Sequence, residues 1–290
     1  MRTLGILAVL LSLTVSPSVL ASTFPVTVTD DRGEAITIKF EPQRVIALNA
    51  LYAQILVDLG STDRLVAICD SDDNPPEVLG LPTVGPAFSP NVELILGYEP
   101  DLVLGANDWG GERAALESAG VTVLTTPWLT SINSIFETVR TLATSLGDAE
   151  AGEALVGCIA EDVVTAETPA LGLPQVRTAF LYASTSDDPP YAAGGDAIEN
   201  ELILRAGGAN VFVDLETSPQ VSFEEILQRD PDVIFTAPSQ LDKILDNPLL
   251  QSVSAVVHGR VFGIRASLVS STRVAEALRA MVIGLHGGEP

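Results

Sequence analysis

Residues 91–106 read NVELILGYEPDLVLGA, and residues 222–237 read SFEEILQRDPDVIFTA. With Glu93 set against Glu224, the two runs agree in residue type through Leu96 and Leu227, Pro100 and Pro231, and Asp101 and Asp232, to Leu104 and Phe235. Asn91 and Ser222 are capping residues, and an acid close behind each suits the positive end of a helix dipole. Ser222 and Glu225 also have the spacing of a capping box. A proline stops each helix, because the residue before proline is driven out of the α region. The apolar run after each Pro-Asp, LVLGA or VIFTA, predicts a parallel strand covered on both faces. One such helix-strand unit is a common junction, but two with Glu in the same register predict a pair of related α/β lobes.

Upstream of the first copy, residues 24–40 (FPVTVTDDRGEAITIKF) alternate around Asp31-Arg32-Gly33 and predict a β-hairpin. Arg44 leads into the buried strand VIALN, a helix closed by Gly60, the strand RLVAICD, an acidic loop from Asp70 to Asp73, and the short strand LPTVGP. The strand at 102–105 runs into Asn107-Asp108-Trp109, a helix follows, and VTVLTTP is the fifth strand, with Trp128 just past its end. From Ser131 the period turns helical, and a second helical stretch covers about 149–167. No Gly/Ser-rich or Pro-rich linker divides the chain, so a long helix is expected to make a stiff connection with modest hinge motion. The second lobe then starts at Arg177, passes SDDPPYAAGG, the helix IENELILRAGG and the second copy, and closes with an edge hairpin VVHGRVFGI and a last helix.

Composition narrows the function. Arg2, the run LGILAVLL and the small residues ending at Ala21 follow the order of a cleaved secretory signal peptide, too short in its apolar part to span a membrane permanently. No cysteine follows the expected cut, which argues against a lipid anchor and for a soluble, exported protein. The formal charge of the 290 residues is −23, and loss of Arg2 with the leader takes it to −24. Nucleic acid is therefore a poor partner. Only Lys39 and Lys243 are lysines, and the acids are spread along the chain, a pattern that fits salt adaptation or simple solubility. Cys69 and Cys158 are either one disulfide or two buried thiols.

The order PQRVIAL, a helix ending in LG, RLVAICD, NPPE, LPTVG, NVELILGYEPDLVL and later GGAN, VSFEEIL, DPDVIF and GRVFGI resembles the periplasmic binding proteins of iron-siderophore, haem and vitamin B12 ABC transporters, over almost the whole mature chain. The resemblance implies an α/β fold of two Rossmann-like lobes with mainly parallel sheets, joined by a long rigid helix. On that division residues 1–21 are the signal peptide, 22–147 the N-terminal lobe with its hairpin, 148–170 the connecting helix and 171–290 the C-terminal lobe. It further implies a monomeric, periplasmic, non-enzymatic chain that needs no cofactor and hands a small-molecule metal chelate to a membrane ABC permease dimer. The family docks on its permease through a glutamate on each lobe, and the matching positions are Glu93 and Glu224. Read alone, the same two residues compensate helix dipoles.

Ligands of open α/β sheets bind beyond the carboxyl ends of the strands. The residues there are Tyr52, Asp70, Phe88, Trp109 and Trp128 in the first lobe and Tyr182, Tyr191 and Arg265 in the second, each of which core packing would explain equally well. Two tryptophans at strand ends in a chain poor in aromatics point to a flat, partly apolar ligand. The B12 binders lead one to expect aromatics where this chain has Asp70 and Ser218. Arg265, with Arg113 and Arg273 behind it, would suit a catecholate, whereas the acidic loop suits a less anionic hydroxamate, corrinoid or tyrosine-ligated haem. The N-terminal hairpin places iron complexes first and cobalamin second. A zinc or manganese carrier needs several histidines, and His258 and His286 are expected at the surface. The alternatives of a different class are a secreted enzyme, for which there is no G-x-S-x-G elbow and no phosphate-binding glycine loop, and a protein that presents its ligand to a sensor.

Overall fold

The computed structural model describes residues 24–105 and 110–287. Strands Val26–Thr29 (β1) and Ala35–Ile38 (β2) pair antiparallel as a hairpin. The first sheet holds Val45–Ala47 (β3), Leu65–Asp70 (β4), Thr83–Pro86 (β5), Leu102–Leu104 (β6) and Thr122–Leu124 (β7), all parallel in the order β5-β4-β3-β6-β7. Helices Ala50–Asp58 (α1), Val92–Gly97 (α2) and Glu112–Ser118 (α3) connect them. Ile132–Leu146 (α4) and Ala149–Glu167 (α5) lead to the second sheet.

That sheet contains Val176–Tyr182 (β8), Gly208–Asn210 (β10), Val233–Thr236 (β11) and Val261–Gly263 (β12), parallel in the order β10-β8-β11-β12, with Tyr191–Ala192 (β9) antiparallel on β8. Its helices are Ile198–Arg205 (α6), Phe223–Arg229 (α7), Leu241–Leu245 (α8), Ser254–Val257 (α9), Ala266–Val269 (α10) and Val274–His286 (α11). The order β4-β3-β6-β7 of one lobe recurs as β10-β8-β11-β12 in the other, so the chain is two α/β lobes of one design. The largest apolar core runs through α4, α5 and α11 and reaches both sheets, which is how the connecting helix is held. Hydrogen bonds also cross between the lobes, from Thr272 Oγ1 to Asp58 and from the Ile132 N–H to Glu201.

The two copies of the opening motif match in detail. Asn91 accepts from the Leu94 N–H and Ser222 from the Glu225 N–H, capping α2 and α7. Glu225 does not reach back to complete a capping box, because its carboxylate is held by Arg229 at 2.8 Å. Each helix ends in a left-handed residue just before the proline, Glu99 at φ 48° and Asp230 at φ 37°. The residue before proline thus leaves the α region as expected, but into the left-handed cap and not into extended structure. An arginine at the start of each sheet's first strand, Arg44 just before β3 and Arg177 second in β8, then closes the helix end: Arg44 donates to the Tyr98 carbonyl at 2.6 Å, and Arg177 to the Arg229 carbonyl.

A left-handed non-glycine residue costs about 1–2 kcal/mol, so Glu99→Gly is expected to stabilise the protein by about 0.5 kcal/mol after the added freedom of the unfolded chain is counted. Asp230→Gly should do the opposite by roughly 1 kcal/mol, because the Asp230 carboxylate accepts from the Ser254 N–H and hydroxyl at 2.7 and 2.9 Å. Urea denaturation of both variants checks the pair, and equal signs would refute the assignment.

Three expectations are corrected. The edge hairpin at VVHGRVFGI does not form: residues 254–257 are helical and β12 lies parallel to β11. The Arg260 N–H bonds the Ala255 carbonyl in the turn between them, and apolar Val261 needs burial beside Ile234, which a parallel register supplies. Cys69 and Cys158 are separate free thiols, the first buried and pushed up to about 11 by desolvation, the second exposed on α5. His286 belongs to the last turn of α11, where Nε2 lies 2.9 Å from the Ala206 carbonyl, while His258 is exposed as expected.

Candidate functional site

Beyond the carboxyl ends of β3, β5, β6 and β7 lies a cavity of about 330 Å³. Its floor is Tyr52, whose ring packs against Gly105. Gly105 sits at φ +96°, and a Cβ there would come within 2.5 Å of the Tyr52 ring, so a glycine is required. The Tyr52 hydroxyl is 3.0 Å from Thr126 Oγ1 and accepts from the Thr126 N–H at 3.1 Å. Burial of this ring raises the phenol above its ordinary range, against the lowering effect of the bonds to Thr126. Asp31 from the hairpin turn also lines the cavity.

The mouth is aromatic. Phe88, after β5, and Trp128, after β7, stand 54% and 69% exposed, with ring centroids 6.4 Å apart and planes 19° from parallel. Large exposed aromatics facing a cavity are a stacking surface, since ordinary folding would bury them.

A second cavity of about 440 Å³ adjoins the first through Asn49, Leu51 and Ser270. It lies between the lobes, with Asp72 and Asp73 from the loop after β4 on one side and Arg265 and Arg273 on the other. Arg273 is paired with Glu276 at 2.7 Å, and this hydrogen bond holds the Glu276 carboxyl below its usual range.

A buried ionic cluster fixes the hairpin to the lobe and so places Asp31. Arg113 is fully buried and bonds Asp30 at 2.5 Å, Asp31 at 2.6 Å and Glu117 at 3.2 Å. Arg113 is therefore no ligand anchor, contrary to its secondary place among the sequence candidates, because it is fully buried and each of its three nitrogens donates to a carboxylate of its own chain.

The structure brings Tyr52, Phe88 and Trp128 to the first cavity and Arg265 to the second. Asp70 is exposed at the end of β4 and lines neither, although its loop neighbours Asp72 and Asp73 do. Tyr182 packs tilted against Phe180 and donates to buried Glu199 at 2.6 Å, and burial together with that carboxylate raises its phenol strongly. Tyr191 pairs with Tyr182 across β9 and β8 and stays half-exposed away from both cavities. Trp109 lies outside the described residues. Sequence reasoning missed Asn49, Thr125 and Asp31. The first two lie within two residues of the ends of β3 and β7, so the strand-end rule alone would have found them, but Asp31 is supplied by a hairpin that no local pattern connects to the sheet. Glu93 and Glu224 are exposed in the first turns of α2 and α7, and neither forms an ion pair among the described residues. Among the described residues no cluster of three or more His, Cys, Asp or Glu is placed to hold a metal ion.

Two parallel-sheet lobes bridged by a helix, with an aromatic cavity beyond the strand ends, define a ligand-binding protein of the two-lobe α/β class. Residues 45–268 match the periplasmic binding protein family, and the chain belongs to it. It is 30% identical to a cobalamin-binding protein of Halobacterium salinarum, over 92% of this chain and 75% of that protein. It is 27% identical to an uncharacterized ABC transporter substrate-binding lipoprotein of Bacillus subtilis, over 91% of this chain and 86% of the other. Among solved structures, a periplasmic heme-binding protein of Roseiflexus sp. RS-1 superposes with a TM-score of 0.77 at 25% identity, covering 84% of this chain and 98% of that one.

Proposed function

We propose that this chain is the extracytoplasmic substrate-binding component of an ABC importer and that its cargo is a corrinoid. The observation that carries the cargo assignment is the state of the tyrosines beside an aromatic cleft. A haem would need an axial ligand from the protein, yet Tyr52 is buried and bonded to Thr126, Tyr182 is tied to Glu199, and neither histidine is near. A corrinoid brings its metal already held by the macrocycle and asks only for stacking and polar edges, which Phe88, Trp128 and the second cavity provide. The likeness to the Halobacterium salinarum cobalamin-binding protein supports the same reading. Iron complexes, placed first on the hairpin and on Asp70 and Ser218 standing where B12 binders carry aromatics, become the second choice.

On this reading a signal peptide of residues 1–21 is removed, residues 22–147 and 171–290 are the lobes, and 148–170 join them. The exported monomer meets its permease through Glu93 and Glu224, whose exposed carboxylates suit charge-assisted bonds to arginines.

Calorimetric titration of the ligand-free protein with cyanocobalamin, haem, a ferric hydroxamate and a ferric catecholate tests the cargo. Cyanocobalamin is expected to bind in the micromolar range or tighter; tight binding of haem or a ferric chelate with no cyanocobalamin binding would reject a corrinoid. Phe88→Ala and Trp128→Ala should each weaken cyanocobalamin binding roughly tenfold, with only a small loss of thermal stability because both rings are largely exposed. Unchanged affinity in both variants would remove the stacking role.

A further inference from the structure

Ten of the twelve described arginines are tied down, seven by ion pairs to carboxylates and three by main-chain carbonyl oxygens. Among the described residues only Arg265 and Arg279 have neither. Arg279 stands in a separate cavity among Asp58, Asp162 and Glu276, in acidic company. Arg265, just past β12, lines the inter-lobe cavity that opens off the aromatic cleft. It is exposed, and Glu276, the acid whose field it feels, is already held by Arg273. In a chain of net charge −23 an uncommitted guanidinium in the binding cleft is a local inversion of sign. Its planar donor fork matches the two oxygens of a carboxylate or phosphodiester. Across the same cavity, Asp72 and Asp73 offer acceptors only. The cavity therefore suits a ligand edge that carries N–H donors and one anionic group, and it repels a ligand carrying several negative charges.

We propose that Arg265 is a specificity-determining residue. It takes the anionic arm of the macrocyclic ligand, which on the corrinoid reading above is the phosphodiester of the nucleotide arm, while Asp72 and Asp73 accept from amide groups of the ring periphery. The flat ring lies on Phe88 and Trp128, and the arm reaches the second cavity past Asn49 and Ser270. The inference rests on the corrinoid assignment for the identity of the arm, but not for the presence of an anion.

The test compares cyanocobalamin with dicyanocobinamide, which lacks the nucleotide arm, on the full chain and on Arg265→Gln. The unaltered protein is expected to bind cyanocobalamin about tenfold more tightly, and Arg265→Gln to lose most of that preference while its affinity for dicyanocobinamide stays the same. Arg265→Lys should restore part of it, since lysine supplies the charge without the fork. Cyanocobalamin affinity should also fall with added salt more steeply for the unaltered protein than for Arg265→Gln. Equal weakening of both ligands in Arg265→Gln, or no change in either, overturns the proposal. If neither corrinoid binds, the corrinoid assignment falls separately, and the same variant is titrated with haem and its dimethyl ester. A preference for the free carboxylates that Arg265→Gln abolishes keeps Arg265 as the anion anchor, and equal binding rejects it. Arg265 has no partner within the described residues, so the melting temperature of Arg265→Gln should match the unaltered protein and exclude misfolding as the cause.

Discussion

Arg113→Met should destabilise the protein by about 3 kcal/mol, because it takes the buried cation from the buried Asp30 carboxylate and leaves only the part-exposed Arg32 to pair with it. That is a large part of the roughly 5–15 kcal/mol that holds an ordinary domain together. The Asp30 side chain is fully buried, and Arg113, also fully buried, bridges it to Asp31 and Glu117. For a chain of this size the loss corresponds to a fall in melting temperature of about 10 °C, read by calorimetry or urea denaturation. A change below about 1 kcal/mol, the level of an exposed pair, would show that the cluster does not hold the hairpin. The same cluster predicts acid sensitivity. Burial opposes ionisation of Asp30, but the N–H groups of Glu34 and Arg32 and the charges of Arg32 and Arg113 hold its carboxyl below the ordinary value of 3.8. Its contribution is therefore fully present above that value and is lost as pH falls through the lower folded value. Asp30→Asn should lose that part of the acid transition and, because the hairpin turn loosens, should also weaken ligand binding through Asp31.

Glu93→Lys and Glu224→Lys should each cut import of labelled cyanocobalamin more than tenfold, and the double variant should reduce it to background, with ligand affinity unchanged in solution. Breaking one buried charged contact across an interface costs about 2–5 kcal/mol, and a reversed charge adds repulsion from the arginine it meets. Both carboxylates are exposed in first turns that are capped, closed by a left-handed residue and tied by an arginine at the helix end. These variants should therefore leave the fold intact. Normal import by both single variants would show the docking assignment to be wrong, and would favour a chain that presents its ligand to a sensor.

The features legible in the sequence are the ones with local causes. The caps, the prolines and the apolar runs of 91–106 and 222–237 act within a few residues, so the two helix-strand units and the parallel sheets followed from them. The strand-end rule picked out Tyr52, Phe88 and Trp128, which the structure brings together around one cavity. What failed depended on distant partners. Arg113 meets acids more than eighty residues away, and nothing near it marks the pairing. Tyr182 ends strand β8, but buried Glu199 draws its hydroxyl away. Strand β10 is Gly-Ala-Asn, without one β-branched or aromatic residue, and exists because β8 supplies a parallel edge. The apparent hairpin at 256–264 alternates only briefly, and burial of Val261 in a parallel register outweighs that pattern.

The shared strand order of the lobes, with the same capped helix on each, has a consequence for encounter with a homodimeric partner. If Glu93 and Glu224 dock as proposed, the carrier has two productive orientations on such a dimer, related by half a turn, each presenting a glutamate to both halves. The degeneracy doubles the encounter rate and is worth RT ln 2, about 0.4 kcal/mol. It is lost once the partner's halves diverge, so a heterodimeric permease would select one orientation and relax the need for the two helices to stay alike.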